Sequence, residues 1–450
     1  MKAKKKENRG GKVLGILLVF FFLLGILWVS PSLAQAPTKV RIFFLGNMTG
    51  SYAATETPAF HGWVTTWKWL NKNKYIPGVE VVADWGDAGS DAFHGWVTTW
   101  KWLNKNQYIP GVEVVADWGD SGSDVSKAMS LYKTAMSGGT KPVCFQSMNS
   151  AQEIALRPWF ERDQIPDVTP GGAPGTLWPP SYIFSYIAPY VNQVGAFVDY
   201  AKKSWKKDRK PKFGFLTWDN AFGRCIVTDD VINYIKSQGF EYVGAEFFPG
   251  AVTEVTTQLL ALKNRGADFV YTNTLSAQYA VVLRDFASLG LKMSEMQMGA
   301  CVWVDPRRTA DIAGEAAEGF LQMQNFEPPS VWSKMPRVMN AFKFGNHPES
   351  EFTSEWMSCW IQAHVTAEAI KIAAKEVGAK NITGKAIYDA LQKVNTNCEG
   401  VAKIQYSKDI HWGQTLKIFR VTTKKVGKTK FDSVYAEAAS DWFAPPNLMK

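Results

Sequence analysis

Residues 59–91 and 92–124 are one 33-residue block written twice in tandem, differing only at Lys74/Gln107 and Ala88/Ser121. Each copy opens with apolar residues at helical spacing, in the first copy Phe60, Trp63, Val64, Trp67 and Leu70, turns at Pro77-Gly78 and closes on a β-rich run at 79–85. The unit is one helix plus one strand, a single step of an α/β domain. Two copies are fewer than the three a solenoid needs to bury a continuous core, so the block reads as a local duplication inside an ordinary fold. Looping out the spare copy would cost only about 3 kcal/mol of closure entropy. Leaving its helix undocked would expose several aromatic side chains, each worth about 1.5 to 3 kcal/mol on burial. Exposure is the larger penalty, so the spare copy is expected to pack, adding a helix and a parallel strand at one edge of a sheet. Trp69 and Trp102 point away from the Phe60/Trp67 face and are expected to be partly covered surface residues.

The N-terminus carries Lys2, Lys4, Lys5, Lys6, Arg9 and Lys12, then an apolar run at 13–29, then Ser32-Leu33-Ala34, the pattern of a secretory signal peptide cleaved after Ala34. No other stretch is apolar enough for long enough to span a bilayer. The six basic residues and Glu7 of this segment account for +5 of the chain's +9 charge, leaving the mature protein mildly basic. Nucleic acid is not an expected partner, because its binding needs a concentrated basic surface. The densest basic run, 202–210, reads as a solvated helix end. At 450 residues two lobes are expected rather than one core. Five cysteines in an exported chain leave at least one unpaired. Cys144, Cys225 and Cys301 adjoin apolar runs and read as buried thiols; Cys359 and Cys398 are the candidate disulfide, because the helix and turn that carry them could meet in one lobe.

Beyond the export signal, short β-rich apolar runs at 40–45, 142–146, 213–218, 242–248, 269–272 and 297–304 alternate with amphipathic segments such as 125–136, 191–203, 256–265 and 277–289. Such alternation implies mainly parallel sheets flanked by helices, with ligands beyond the carboxyl ends of the strands. No chemistry of bond-breaking is suggested. Gly119-Asp120-Ser121-Gly122 looks like a protease nucleophile loop, but the twin copy has Ala88 in place of Ser121 and no His/Asp framework accompanies it. There is no P-loop, no His-Glu-x-x-His and no paired Cys-x-x-Cys, and the five histidines are scattered, so neither a cofactor nor a metal is expected.

Several short motifs follow the strands in a telling order: Met48-Thr49-Gly50-Ser51-Tyr52, then Asp84 or Asp117, then Ser147-Met148-Asn149-Ser150-Ala151, Thr169-Pro170-Gly171-Gly172-Ala173, Trp218-Asp219-Asn220-Ala221-Phe222-Gly223-Arg224, and the run 313–320. In that order the chain from about 40 to 430, less one repeat copy, resembles the extracytoplasmic solute-binding proteins of ABC importers, specifically the leucine/isoleucine/valine-binding family with its type I periplasmic binding protein fold. The resemblance implies a two-lobed α/β architecture with three hinge crossovers. Lobe one would comprise 38–188 plus 321–400 and lobe two 189–320 plus 401–450. It further implies a monomer in the periplasm that closes on a small-molecule solute and delivers it to an inner-membrane ABC permease. A ligand sensor of the same fold is the competing expectation, favoured if the N-terminal segment stays uncleaved as an anchor.

The resemblance also implies a site. Tyr52 follows the first strand. Asn149, Ser150, Gly172 and Ala173 occupy the loops that hold the ligand carboxylate in amino-acid binders, and Trp218, Phe222, Thr274, Leu275, Cys301 and Trp303 form the second wall. The departures are informative. Phe222 stands where a tyrosine is usual, Leu275 where an aromatic is common, and Cys301 where a glutamate pairs with the ligand ammonium. Burying an ammonium with no carboxylate partner is costly, so an α-amino acid is less favoured unless Asp219 or Asp305 substitutes. A small organic acid or amide, aromatic in the leading expectation, ranks ahead of leucine-like amino acids.

Overall fold

Two strand-helix layers share the chain. The computed structural model describes residues 38–47, 53–73, 80–83, 112–344, 352–423 and 436–449. The signal segment, Tyr52, Trp85 and the second copy's helix with Trp102 lie outside these residues, and so do both glycine-turn loops of the repeat. No helix among the described residues is long and apolar enough to cross a membrane.

The first sheet runs in the order β2-β3-β1-β4-β5-β6, with β1 (Thr38–Gly46), β2 (Glu80–Ala83), β3 (Val112–Asp120), β4 (Cys144–Gln146), β5 (Asp167–Thr169) and β6 (Ile183–Ser185), all parallel. It answers the question posed by the duplication. The second copy's strand, β3, pairs with β1 along all nine residues, while the first copy's strand, β2, is laid outside it. Glu80 pairs with Glu113 and Val81 with Val114, so every residue of β2 lies beside its own copy 33 positions on. The first copy's helix (Ala53–Lys72) packs against the long helix Ser354–Val377. The spare strand thus packs in parallel at the sheet edge, as the exposure argument required.

That helix is covered on both sides, which corrects the reading of Trp69. Trp63 and Trp67 are buried, with the Trp63 ring 5.0 Å from Phe44 of β1. Trp69, on the opposite side, is buried too, 4.9 Å from the Trp360 ring and beneath the Arg337 guanidinium. The Ser354–Val377 helix supplies this second layer. A helix apolar all round is one enclosed all round. The Gly62 backbone lies so close to Trp356 that a Cβ would fall 2.3 Å from its carbonyl oxygen.

The second sheet runs β13-β12-β11-β10-β9-β7-β8, with β7 (Lys212–Trp218), β8 (Glu241–Phe248), β9 (Phe269–Thr272), β10 (Gln297–Ala300) and β11 (Leu321–Gln324) parallel, and β12 (Lys417–Val421) and β13 (Ala436–Ala438) antiparallel. The expected strand at 297–304 ends at Ala300, because Cys301 to Val304 form a turn closed by Val304 N donating to Cys301 O at 3.2 Å. Three connecting segments run side by side between the sheets. Ser185 N donates to His411 O, Gly413 N to Ile187 O, and Asn325 Nδ2 to Thr415 O, at 2.7, 2.9 and 2.8 Å. Gly413 is needed there, since a Cβ would sit 2.7 Å from Tyr186 O.

The expected Cys359–Cys398 disulfide does not form; all five cysteines remain thiols. The two segments do meet, but the joint is made by the Trp360 indole N–H, which donates to Cys398 O at 3.4 Å.

Candidate solute-binding cleft

The first wall is built on the loops after β4 and β5. Asn149 is in extended conformation and caps the helix Ser150–Asp163, its Oδ1 accepting from Ala151 N and Gln152 N at 3.0 and 3.3 Å. Removing an Asx cap exposes the first-turn N–H groups to unsatisfied burial, so Asn149 organises the helix end. Ser150 is the first helical residue and is buried. The partial positive charge of that helix end is the natural receptor for an anion. Gly172 and Ala173 lie beside it, both buried, with Gly172 O accepting from Tyr190 N at 2.9 Å.

Beneath this wall lies a group of residues that the sequence reading passed over. Glu153, one turn into the helix, and Asp167 of β5 are both fully buried. The Thr169 and Thr176 hydroxyls donate to Glu153, the backbone N–H and hydroxyl of Ser147 donate to Asp167, and Ser147 Oγ also lies 3.3 Å from Glu153 Oε1. Burial, with the neighbouring Asp167 adding, pushes the Glu153 carboxyl up to about 8, and burial pushes Asp167 up to about 7.

The second wall is aromatic. Trp218 ends β7; Phe222 sits in the turn Ala221–Arg224, its ring 6.4 Å from that of Trp218. Trp303 lies in the loop after β10, and that loop is pinned from three sides. Gln193 Oε1 accepts from Val302 N, Gln322 Nε2 donates to Val304 O, and Ser276 Oγ donates to Trp303 O. Leu275 is buried at the start of the helix Ser276–Ser288. Thr274 Oγ1 is buried without a hydrogen-bond partner among the described residues. Cys301 donates its thiol to Thr274 O at 3.5 Å, and burial pushes that thiol up to about 12, so it is neutral.

Tyr190, absent from the expected set, joins the walls. Its hydroxyl accepts from Trp303 Nε1 at 2.9 Å and lies 3.5 Å from Pro170 O, while its ring meets Phe222 at 4.9 Å. The only sequence signal was an aromatic at the start of the 191–203 amphipathic segment. An aromatic there is ordinary.

Neither substitute acid is placed to receive an ammonium. Asp219 pairs with Arg224 on the surface. Asp305 is fully buried, accepts from Arg308 N at 2.8 Å, and reaches the other lobe, where it accepts from the backbone N–H and hydroxyl of Ser354 at 2.9 and 2.7 Å. It therefore caps the first turn of the 24-residue helix across the gap. Glu355 beside it is pushed up to about 7, by burial first and by Asp305 second. An open groove of about 660 Å³ between Tyr200, Lys203, Trp442 and Phe443 shares no residue with either wall.

Two mainly parallel-sheet lobes joined by three crossing segments, with a polar wall facing an aromatic one, define a two-lobed binding protein. A family model for periplasmic binding proteins matches residues 39–426, and the chain belongs to that family. Among solved structures it is similar to a branched-chain amino acid ABC transporter protein from Thermus thermophilus with bound valine, at 20% identity and a TM-score of 0.73, over 92% of this chain and 98% of that one. A fatty acid ABC transporter substrate-binding protein from Thermomonospora curvata matches at 16% identity and 0.70, over 92% and 95%. A solute-binding protein from R. palustris in complex with 4-hydroxybenzoate matches at 13% and 0.68, over 90% and 97%. No curated protein sequence matches the chain. Membership in this family makes the chain extracytoplasmic, and the family works by binding small solutes rather than by catalysis.

Proposed function

We propose that the chain is the substrate-binding component of an ABC importer and that its solute is a small organic carboxylate with a flat or apolar body. The single observation that carries this reading is the asymmetry of the walls. Lobe one offers a helix N-terminus, the Ser150 hydroxyl and the glycine loop, all suited to an anion. Lobe two offers Trp303, Phe222, Trp218 and Leu275, with a neutral thiol at Cys301 and Asp305 already committed to Ser354. Aromatic side walls with a few polar groups are what small-molecule pockets use to hold an apolar body. An ammonium would have no carboxylate there. Solved proteins of the same fold hold valine or 4-hydroxybenzoate; the second chemistry suits these walls.

The solute is captured as the lobes close, because only the closed form offers it both walls. Leu321–Gln324 hydrogen-bonds within the second sheet, which supports a lobe boundary after Gln324 rather than at 320. Export through the signal segment 1–34, a periplasmic monomer and delivery to an inner-membrane permease complete the reading, with no role in catalysis and no nucleic-acid partner. Calorimetry of the mature chain against 4-hydroxybenzoate, benzoate, benzamide, L-leucine and L-valine tests it. Benzoate-type acids are expected to bind at least tenfold more tightly than the amino acids. Preferential binding of leucine or valine, abolished in Asp219→Ala, would reverse the solute assignment.

A further inference from the structure

We propose that Glu153 is the neutral, proton-carrying member of a buried acid pair with Asp167, and that this pair is the positioning floor of the anion wall, making capture of a carboxylate solute depend on the Glu153 proton. The proposal rests on the reading of lobe one as an anion receptor.

The geometry assigns the two acids different roles. Asp167 accepts from two donors of one residue, the Ser147 backbone N–H at 2.9 Å and the Ser147 hydroxyl. Glu153 likewise accepts from two hydroxyls, those of Thr169 and Thr176, so what separates the two acids is the shared Ser147 hydroxyl. With the single Ser147 hydroxyl proton committed to Asp167, the 3.3 Å contact between Ser147 Oγ and Glu153 Oε1 is favourable only if Glu153 is itself a donor or neutral. The groups facing the pair are Asp167 from β5, the Tyr190 phenol from the helix Tyr190–Ser204, the Cys144 thiol from β4, and the hydroxyls of Ser147, Thr169 and Thr176. No Lys or Arg among the described residues pairs with either acid. Two buried carboxylates sharing one network with no cation do not both ionise, and burial holds Glu153 protonated to a higher pH than Asp167.

The floor is tied to the wall by contact. Gly171 N donates to Thr169 Oγ1 at 2.8 Å, and Thr169 Oγ1 donates to Glu153 Oε1 at 2.5 Å. A Cβ on Gly171 would fall 2.0 Å from Glu153 Oε2, so the glycine loop rests directly on the carboxyl. Glu153 also lies in the first turn of the helix whose end receives the anion. A second negative charge at that turn opposes a bound carboxylate. Loss of the Glu153 proton therefore weakens carboxylate binding and leaves a neutral solute unaffected.

The test uses the mature full-length chain. Infrared spectra without solute read the carbonyl stretch of protonated carboxylic acids from pH 6 to pH 9. The bands of Asp167 and Glu355 are expected to fade near pH 7 and that of Glu153 near pH 8; the last is expected to be missing in Glu153→Gln and to remain in Asp167→Asn. Calorimetry then follows 4-hydroxybenzoate and benzamide over the same range. The acid is expected to lose about tenfold in affinity by pH 9, one unit of pKa change on binding being tenfold, while benzamide holds constant and Glu153→Gln shows no decline between pH 8 and pH 9. A spectrum with no band lost in Glu153→Gln, or equal pH profiles for acid and amide, overturns the proposal. If no solute binds at any pH, the transport reading fails while the infrared result still decides the protonation of Glu153.

Discussion

The two walls of the cleft recognise by different means. Lobe one presents small residues, Ser150, Gly172 and Ala173, so what faces the gap is backbone and a helix end, held in place from below by Asn149, Thr169 and Glu153. Lobe two presents side chains, Trp218, Phe222 and Trp303, held from behind by Gln193, Gln322 and Ser276. A backbone receptor reads charge and tolerates little change in the residues beneath it. A side-chain receptor reads shape, and changes there act directly on the solute.

Substitutions can break or sharpen that contrast. The largest effect is expected from Trp303→Ala, which empties a buried ring site and removes the donor to Tyr190; about 3 to 5 kcal/mol of unfolding free energy should be lost in urea titrations. Solute affinity should fall at least tenfold. Trp303→Phe should restore most of the stability and keep a deficit of about 1 kcal/mol, the worth of the lost N–H bond. Next comes a matched pair of glycines. A Cβ on Gly223 would lie 1.9 Å from Trp218 O, and one on Gly171 2.0 Å from Glu153 Oε2. Gly223→Ala and Gly171→Ala are each expected to cost about 1 to 3 kcal/mol or more, since neither site can give way without moving a packed neighbour. Gly171→Ala alone should also abolish preference for acid over amide. If Gly223→Ala does the same, charge is read by both lobes and the contrast fails.

Asn149→Ala should cost about 1 kcal/mol of stability as a lost cap and weaken carboxylates more than amides, since the helix end is what the cap orders. Smaller still is the pH effect on folding. Glu153 has its folded pKa raised to about 8, so the stability it contributes is fully present below its unfolded value near 4.3 and is lost as pH rises through 8. Thermal melts should therefore fall between pH 5 and pH 9, and less steeply in Glu153→Gln. Equal slopes would mean that Glu153 titrates normally.

Much of the architecture was legible in the residue pattern. The strands expected at 40–45, 213–218, 242–248 and 269–272 appear at 38–46, 212–218, 241–248 and 269–272, because period and β-branched or aromatic content are local properties. Trp69 was misjudged because a single-helix periodicity sees one covered face, and the second cover comes from a helix nearly 300 residues away. Asp305 was weighed as a ligand partner because nothing local shows Ser354 approaching it. Tyr190 and Glu153 were missed for the same reason: their meaning lies in contacts to Trp303 and Gly171.

The duplicated block draws the line between the two kinds of information most sharply. By itself the sequence determined that a helix-strand unit occurs twice and that hiding its aromatic face is worth more than the entropy of a loop. Which strand lies against β1 could not follow from copies this similar, since local propensities are the same in both. Tertiary structure decided it, and one of the two differing positions shows how: Ser121 is buried, its hydroxyl 3.0 Å from Gly46 O and 2.8 Å from Asn47 Oδ1, and it accepts from Gln152 Nε2 at 2.7 Å. The alanine of the other copy has no hydroxyl to satisfy those buried groups, and an unsatisfied polar atom in the interior costs more than a hydrogen bond returns.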